Sequence, residues 1–372
     1  MQIKRTIEKV PGGLMVVPLL LGALLNTIDQ MHLPFIMSFL KSLGVAATSD
    51  GHYEFLRIGG FSEALFKNSS IILIALFLFC CGSQMNLRVG GTALKKGVLL
   101  TASKYFTGVI VGFMWGKLSG DMMNGFLGLS AMAIIAAMTN GNGGMYAALT
   151  SQYGNRSDVG AVAVLSLNDG PFFTLMALGM LGANFPVIAF IAVLLPIGIG
   201  MILGNLDPEI RDFLKAGELL PVPFFAFSLG AGMNFATFLK PEVLLGGLAL
   251  GFMTTILTGG TGMLVFKLFR EKSHIAPVAE ASTAGNAVGT PAAIAAAATV
   301  AAGSGMMSAA DAQAYQDMVN IATAQISIST LTTAILCPIA VIMIDNWQKK
   351  RGINGRLESH EMDNPAHAAV NR

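Results

Sequence analysis

Long runs of residues with almost no charge recur from one end of this sequence to the other. The clearest of them cover residues 122–153, 159–205 and 243–266. A helix needs roughly 20 mostly apolar residues to cross a bilayer, and each of these runs is long enough to do so. Charged residues make up 12% of the chain, whereas soluble domains average about 25%. Because one soluble core cannot bury so much apolar surface, the sequence predicts an all-α membrane protein.

Glycine, proline and charged residues divide these runs into about ten predicted transmembrane helices. The predicted helices are 11–28, 62–87, 94–118, 122–152, 157–182, 186–205, 219–237, 241–269, 275–301 and 312–346. Residues 29–61 follow the first helix and have a mixed composition, which is typical of an amphipathic surface helix plus a loop. Residues 347–372 are polar and are predicted to form a tail outside the membrane.

A short phrase occurs twice, each time at the end of an apolar run. It reads FCCGSQMNL at residues 79–87 and FSLGAGMNF at residues 227–235. Further matches occur in the first and sixth helices, at Pro18, Gly22 and Asn26 and at Pro196, Gly200 and Asn205. Internal repeats of this kind are typical of secondary transporters. The sequence therefore predicts two five-helix repeats, residues 1–182 and 183–346.

The positive charges predict how the chain is oriented in the membrane. Most of the 23 lysines and arginines fall on one side of the predicted helices, together with both chain ends. Connections rich in these residues normally lie in the cytoplasm. Both termini and the polar tail are therefore predicted to be cytoplasmic, which requires an even number of helices. With five helices in each repeat, the second copy enters the membrane from the opposite side, so the repeat is predicted to be inverted.

Two predicted helices are interrupted by glycine-rich segments, at residues 139–144 in the fourth and 284–291 in the ninth. Backbone groups that leave a helix inside the membrane are tolerated only beside a cavity or other protein, and half-helix N-termini attract anions. The two breaks are therefore predicted to cross and to bind substrate. The candidate substrate-binding residues at the breaks are Asn140, Asn142, Gly143, Asn286 and Thr290. The alternative is that Gly141, Gly143 and Gly144 only allow close helix packing.

Among the ionisable residues of the predicted helices, Lys104, Asp169 and Glu280 stand out in the third, fifth and ninth, because a charge inside the membrane is costly and often functional. Lys104 is a candidate to bind a substrate carboxylate. Asp169 and Glu280 are candidates to carry a coupled proton, and Asp169 is favoured because Gly170 and Pro171 interrupt its helix. The alternative is a buried structural pair between Lys104 and one of the two acids.

Other features carry weaker signals or exclude whole classes of function. Asn86, Asn168 and Asn234 are further candidates to line the site, although Asn86 and Asn234 are equally suited to cap a helix. The chain lacks a phosphate-binding loop of the G-x-x-x-x-G-K-[ST] type, which argues against an ATP-driven pump. No metal-ligand or nucleophile–base spacing stands out, so we expect no enzyme, metal or cofactor. A net charge of +2 without a dense basic patch argues against a nucleic-acid partner. Whether the chain forms a homo-oligomer is left open by the sequence.

Several longer motifs resemble a known family. They are MQIKRTIEKVPGGLM at residues 1–15, NGGMY at 142–146, QYG at 152–154, GNLDPE at 204–209 and PFFAF at 223–227. With these motifs the chain resembles the 2-keto-3-deoxygluconate permeases of enteric bacteria, from residue 1 to about residue 345. The resemblance implies an inner-membrane transporter that imports 2-keto-3-deoxygluconate with protons, with a fold similar to that of the bile-acid–sodium symporters. Thr139 and Asn168 stand where members of that family carry acids.

The first hypothesis is a proton-coupled importer of a small sugar-derived carboxylate that works by alternating access. The alternative is a sodium-coupled organic-anion carrier of the same fold, in which Asp169 and main-chain carbonyls at the breaks coordinate the ion. A membrane enzyme or sensor is disfavoured, because the sequence shows neither a catalytic cluster nor a large soluble domain.

Overall fold

A computed structural model of the protein describes residues 2–10, 13–85, 91–165 and 170–362. Every regular element within these ranges is a helix, so the predicted all-α fold class is confirmed. The α-helices are, in chain order, α1 (Ile3–Ile7), α2 (Gly13–Gln30), α3 (Pro34–Ser42), α4 (Gly60–Phe66), α5 (Ser70–Gln84), α6 (Gly91–Ser119), α7 (Ala131–Thr139), α8 (Gly143–Tyr153), α9 (Arg156–Gly160), α10 (Val162–Leu165), α11 (Phe172–Met180), α12 (Val187–Leu206), α13 (Pro208–Leu214), α14 (Val222–Gly230), α15 (Pro241–Met253), α16 (Gly259–Leu268), α17 (Ile275–Ala279), α18 (Thr290–Gly303) and α19 (Ala309–Lys349). Short 3-10 helices lie at Phe55–Arg57, Lys215–Glu218, Phe235–Leu239 and Asn286–Gly289, Phe126–Gly128 forms a tight non-helical turn, and a π-helical turn at Thr254–Thr258 joins α15 to α16.

Seven helical segments of the described residues are long and apolar enough to cross a bilayer. They are Gly13–Gln30, Gly91–Ser119, Val187–Leu206, Pro208–Gly230, Pro241–Leu268, Asn286–Gly303 and Ala309–Lys349. The pair α4 and α5, bent by 62°, makes an eighth if it counts as one span. The other two predicted helices, 122–152 and 157–182, are divided into the shorter helices α7–α8 and α9–α11. The prediction of about ten spans therefore corresponds to eight such segments and two divided helices, and the ninth predicted helix, 275–301, is itself interrupted between α17 and α18.

The predicted start of the fourth helix is wrong, because α7 begins at Ala131 rather than at residue 122. Leu127 and Gly128 have φ angles of 57° and 66°, which a helix cannot contain. Ser130 then caps α7 by accepting a hydrogen bond from the backbone N–H of Ala133 at 3.0 Å. The turn is uncharged, so its composition resembles that of the helix it precedes.

The segment 29–61 contains a helix and a loop, as expected. Helix α3 spans Pro34–Ser42 and leaves Phe35 and Phe39 exposed. The loop returns to α2, where the buried Asp29 carboxylate accepts hydrogen bonds from the backbone N–H groups of Phe55 and Leu56 at 2.7 and 2.8 Å. These two bonds fix the far end of the loop beside the end of the first long helix.

The chain divides into two compact units, each built from three stretches of sequence. Unit 1 comprises Met1–Gln84, Phe185–Leu244 and Val288–Ala324. Unit 2 comprises Met85–Asn184, Leu245–Ala287 and Gln325–Arg372. Each unit draws on both predicted repeats, so units and repeats are different divisions of the chain. The repeat boundaries stay a prediction.

In unit 1, α2 packs on α14 and α12 packs on α5 through glycines that match in the sequence. A side chain at Gly22 would collide with the Phe227 carbonyl, and one at Gly200 would collide with the Phe79 carbonyl. The glycines of the repeated phrase are equally constrained. A side chain at Gly230 would collide with the Leu19 carbonyl, and one at Gly82 would collide with the Ile197 carbonyl. Matched residues therefore make matched contacts, which is the pattern that the predicted inverted repeat requires.

In unit 2, the long helix α6 packs against α7, α9, α10 and α16, and the short helices α8 and α17 pack against each other. The core beside α8 and α17 includes the fully buried side chains of Tyr146, Phe266 and Ile275. This packing brings the two interrupted helices together within one unit. It also places α6, which carries Lys104, beside them.

Candidate functional site

The two helix breaks meet in unit 2, and the second of them begins at Glu280, four residues before the predicted start at residue 284. Helix α7 ends at Thr139 and α17 ends at Ala279, and the chain is extended or turning beyond each of them. The side-chain amide of Asn140 donates a hydrogen bond to Asn286 Oδ1 at 3.2 Å. The backbone N–H of Ala284 donates to the Asn140 carbonyl at 3.0 Å. The two breaks thus satisfy part of each other's polar groups, and we call this region the crossing (residues 139–143 and 280–287).

A buried ion pair lies beside the crossing. Lys104 Nζ is 3.3 Å from Glu280 Oε1, and the two side chains are 2% and 3% exposed. The same ammonium donates to the carbonyl oxygens of Glu280 and Ser282 at 2.6 and 2.7 Å. An ammonium has three N–H donors, so all three are engaged in this structure. The structural pair left open by the sequence is thus present between Lys104 and Glu280, and a role for Lys104 in substrate binding stays a prediction.

Two buried oxygen atoms at the crossing accept no hydrogen bond from any described residue. They are Glu280 Oε2 and Asn140 Oδ1. An unsatisfied buried acceptor costs about 1–3 kcal/mol, so such atoms are uncommon and call for an explanation. Both atoms are oxygens, and both belong to residues that the sequence singled out. They are the groups at the crossing that a proton, a cation or a hydroxyl donor would satisfy.

Only one of the three glycines in the first break is required by close packing. A methyl group at Gly141 would collide with the Glu280 carboxylate and the Lys104 ammonium. At Gly143 the nearest atom to an added methyl group would be in Val162, at 3.9 Å. At Gly144 it would be Asn142 Oδ1, at 3.5 Å. Gly141 therefore lets the ion pair approach the backbone of the break.

Replacement of Gly141 by alanine is expected to lower the free energy of unfolding by about 1–3 kcal/mol, the usual cost of overfilling a packed site. The matched control is Gly143→Ala, which has room for its methyl group and is expected to be neutral or slightly stabilising. Thermal unfolding of the two purified variants in detergent measures the difference. Equal stability of the two variants would contradict the assigned role of Gly141.

The other predicted site residues are placed as follows. Asn142 caps α8, because its Oδ1 accepts from the backbone N–H of Met145 at 3.0 Å. Asn234 caps the 3-10 helix Phe235–Leu239 in unit 1, where its Oδ1 accepts from Ala236 N–H at 2.8 Å. Thr290 is buried at the start of α18, also in unit 1. Three further predicted residues, Asn86, Asn168 and Asp169, lie outside the described residues.

Sequence reasoning missed two features of unit 2. Ser282 bridges the crossing, since its Oγ accepts from the backbone N–H of Asn142 at 3.0 Å. Lys96 and Asp158 form a second buried ion pair at 2.7 Å, with each side chain 1% exposed. In the sequence, Lys96 is one of the many positive charges that predict the orientation of the chain in the membrane. The available signal was Asn155-x-x-Asp158, whose spacing is that of the capping box observed at the start of α9.

The part of the chain described by the structure contains no group of three or more His, Cys, Asp or Glu side chains that could hold a metal ion. At the crossing, the side-chain oxygens open to a cation are those of Glu280 and Asn140. Oxygen ligands of this kind suit a hard cation or a proton rather than a transition metal.

Most of the chain matches one family of known proteins. The family model described as KdgT, 2-keto-3-deoxygluconate permease, matches residues 4–50 and 51–350. The chain is 43% identical over 365 residues to 2-keto-3-deoxygluconate permease 1 of Salmonella typhimurium, covering 97% of this chain and 100% of that protein. It is 36% identical over 358 residues to 2-keto-3-deoxygluconate permease of Bacillus subtilis, covering 94% and 96%. Among solved structures, the sodium proton antiporter MjNhaP1 from Methanocaldococcus jannaschii aligns over 93% of this chain and 97% of its own, with a TM-score of 0.49 and 16% identity.

The resemblance found in the sequence motifs is therefore confirmed over nearly the whole length. The family match and the long apolar helices together indicate a multi-pass inner membrane protein with a transport function rather than an enzymatic one. The chain belongs to the 2-keto-3-deoxygluconate permease family.

Proposed function

We propose that this protein imports 2-keto-3-deoxygluconate or a closely related sugar acid together with protons, by alternating access, with both termini in the cytoplasm. The observation that carries the proposal is the crossing of two broken helices beside the buried Lys104–Glu280 pair. Relatives named for this substrate share 33–43% identity with the chain. Irregular backbone at membrane depth is where transporters bind their substrates and coupling ions.

The crossing has the chemistry that a sugar acid requires. Such a substrate presents a carboxylate and several hydroxyl groups, which need donors and acceptors in a site otherwise closed to water. Asn140 and Asn286 supply amide groups from the two breaks. The buried Asn140 Oδ1 is an acceptor without a protein partner among the described residues, and it is suited to a substrate hydroxyl.

Glu280 is the acid that the described geometry favours for proton coupling. Its Oε1 faces Lys104, while its buried Oε2 has no hydrogen-bond partner among the described residues. A proton bound at Oε2 removes the negative charge that Lys104 balances. The ammonium nevertheless keeps two backbone acceptors, at the carbonyls of Glu280 and Ser282. Protonation therefore changes the charge of the crossing without leaving Lys104 unpaired.

A sodium-coupled organic-anion carrier of the same fold is the second candidate. The oxygens of Glu280 and Asn140 can also coordinate a sodium ion, so the geometry of the crossing does not distinguish a coupled proton from a coupled sodium ion. Uptake into cells or proteoliposomes, first with a proton uncoupler and then with sodium replaced by choline, separates the two candidates. Loss of uptake with the uncoupler alone supports proton symport, and loss on sodium replacement alone supports the second candidate.

Counterflow in proteoliposomes tests the substrate. Vesicles loaded with unlabelled 2-keto-3-deoxygluconate are expected to take up labelled 2-keto-3-deoxygluconate from outside, because exchange needs no driving gradient. A panel of labelled uronates and aldonates ranks the related acids. Absence of counterflow with every sugar acid in the panel would contradict the proposed function.

Replacement of Asn286 by alanine is expected to weaken substrate binding by about one order of magnitude or more. One lost hydrogen bond to a charged ligand is worth roughly 1.5–3 kcal/mol, and 1.4 kcal/mol is a factor of ten. Binding to purified protein, measured by calorimetry, is compared with that of Asn234→Ala, which removes a capping asparagine from unit 1. Unchanged affinity in Asn286→Ala would assign Asn286 to packing alone.

A further inference from the structure

A buried network of charges lies at the end of unit 2 that carries the C-terminal part of the chain. Its centre is the Lys96–Asp158 ion pair, at 2.7 Å. Glu358 joins it from beyond α19, with its Oε2 3.6 Å from Lys96 Nζ. Glu271 completes the network, with its Oε2 4.0 Å from Lys96 Nζ and its Oε1 2.7 Å from Nζ of the half-exposed Lys95. These charges come from α6, from α9, from the loop between α16 and α17 and from the segment after α19, so the network connects four parts of unit 2.

The segment after α19 is bound to residues 154–157, which link α8 to α9 and include the first turn of α9, and which we call the first loop. Glu358 accepts hydrogen bonds from the backbone N–H of Ser157 at 2.8 Å and from Ser157 Oγ at 2.7 Å. The Leu357 carbonyl accepts from Asn155 Nδ2 at 3.2 Å. Arg356 Nε donates to the Gln152 carbonyl at 3.1 Å. Consecutive residues of the segment therefore contact the last turn of α8 and the first loop.

The same segment is bound to the loop between α16 and α17. Ser359 Oγ donates to Glu271 Oε2 at 2.9 Å and accepts from the backbone N–H of Lys272 at 3.2 Å. Glu358 and Ser359, adjacent in sequence, thus hold two different loops. Those loops lie more than 100 residues apart along the chain.

Each of the two loops leads into one half of the crossing. Helix α8 begins at the crossing with Gly143 and ends at Tyr153, just before the first loop. Helix α17 begins at Ile275, just after the second loop, and ends at Ala279, next to Glu280. A contact that fixes the two loops relative to each other therefore fixes the outer ends of both half-helices.

The carboxylate of Glu358 is charged at neutral pH. Burial raises the pKa of Glu358, but its hydrogen bonds with Ser157 and the nearby charge of Lys96 outweigh burial and leave the pKa below its usual value. A lowered pKa means that these contacts are fully present above the ordinary pKa of a glutamate and are lost only in more acidic solution. The contact with Ser157 is therefore complete under physiological conditions.

We propose that residues 353–362 form a clasp that holds the outer ends of α8 and α17 together, so that Glu358 and Ser359 act as positioning residues for the substrate site at the crossing. The part of this proposal that concerns substrate rests on the proposed function. The part that concerns α8 and α17 does not depend on it. Glu358 and Ser359 touch neither the crossing nor its side chains, and they act through the two half-helices.

The distance between the two loops tests the clasp directly. Spin labels are attached to cysteines at Arg156 and Arg270, both exposed, and the three native cysteines are buried. Pulsed electron paramagnetic resonance on the full chain in nanodiscs is expected to give one narrow distribution of the distance between the two labels in the parent protein. The distribution is expected to broaden in the double variant Glu358→Ala with Ser359→Ala. A distribution as narrow as that of the parent would overturn the proposal.

Two further variants separate the clasp from general damage to the segment. Glu361→Ala removes a carboxylate whose Oε2 accepts from the backbone N–H of Glu358 within the segment itself, and it is expected to keep the narrow distribution. Glu358→Gln, with Ser359 unchanged, keeps an acceptor and a donor beside Ser157. This variant is expected to keep the narrow distribution of the parent protein. Broadening in Glu361→Ala equal to that in the double variant would overturn the specific role of Glu358 and Ser359.

Transport kinetics test the positioning role. The double variant is expected to raise the KM for the sugar acid by roughly 2- to 30-fold, the range over which residues remote from a ligand change its affinity. The maximal rate per inserted molecule is expected to change less than the KM, and Glu358→Gln is expected to restore the KM. An unchanged KM in a variant with a broadened distance distribution would overturn the positioning role. If the parent protein transports no sugar acid, the proposed function fails while the distance measurement still decides the clasp.

Discussion

Replacement of Lys104 by methionine is expected to lower the free energy of unfolding by roughly 3–5 kcal/mol, because it leaves a buried carboxylate without its partner. Lys104 also donates to the carbonyl oxygens of Glu280 and Ser282, and these lose their donor in the same variant. Methionine fills a similar volume, so the loss is electrostatic rather than a cavity. Chemical or thermal unfolding in detergent measures it.

The double variant Lys104→Met with Glu280→Gln is the informative control. It removes both charges, and replacing a whole buried ion pair by neutral groups is often tolerated far better than removing one partner. We therefore expect the double variant to be more stable than Lys104→Met alone, with a coupling energy of about 0.5–3 kcal/mol between the two sites. If the two single losses simply add, the pair does not stabilise the crossing in the way its geometry indicates.

Replacement of Glu280 by glutamine is expected to abolish uphill accumulation of the sugar acid driven by a pH gradient, while counterflow exchange survives. Glutamine keeps the size and polarity of the side chain but cannot bind and release a proton. Exchange of labelled for unlabelled substrate moves no net proton, so it needs only an intact site. Proteoliposomes with and without an imposed pH gradient measure both activities on the same preparation.

Asp169→Asn is the matched comparison for Glu280→Gln. The sequence favours Asp169 as the proton carrier because Gly170 and Pro171 follow it, but Asp169 lies outside the described residues. The geometry at the crossing instead favours Glu280, whose Oε2 is buried and unpartnered among the described residues. Retained accumulation in Glu280→Gln together with its loss in Asp169→Asn would move the coupling role to Asp169.

The sequence by itself determined the architecture of this protein because the relevant signals are local. Apolar runs of bilayer length require helices, since no other open structure satisfies its backbone in lipid. The two glycine-rich breaks follow from the same local chemistry, as do the matched glycines Gly22 and Gly200. The predicted start of the fourth helix is wrong because the turn at Leu127 and Gly128 is as apolar as a helix. Only the backbone angles distinguish this turn from a helix.

The tertiary structure alone decided which polar groups are partners. Lys104 and Glu280 are 176 residues apart in sequence, and the residues around each of them do not predict which charged residue is its partner. Likewise, the sequence does not distinguish the packing of Gly141 from that of Gly143, yet of the two only Gly141 lies against the ion pair. Lys96 and Asp158 lie at the starts of two predicted helices, and only the packing of those helices shows that the two side chains are buried together. Helices form from signals within a few residues, whereas ion pairs depend on which distant helices pack together, and that is set by the fit of whole surfaces.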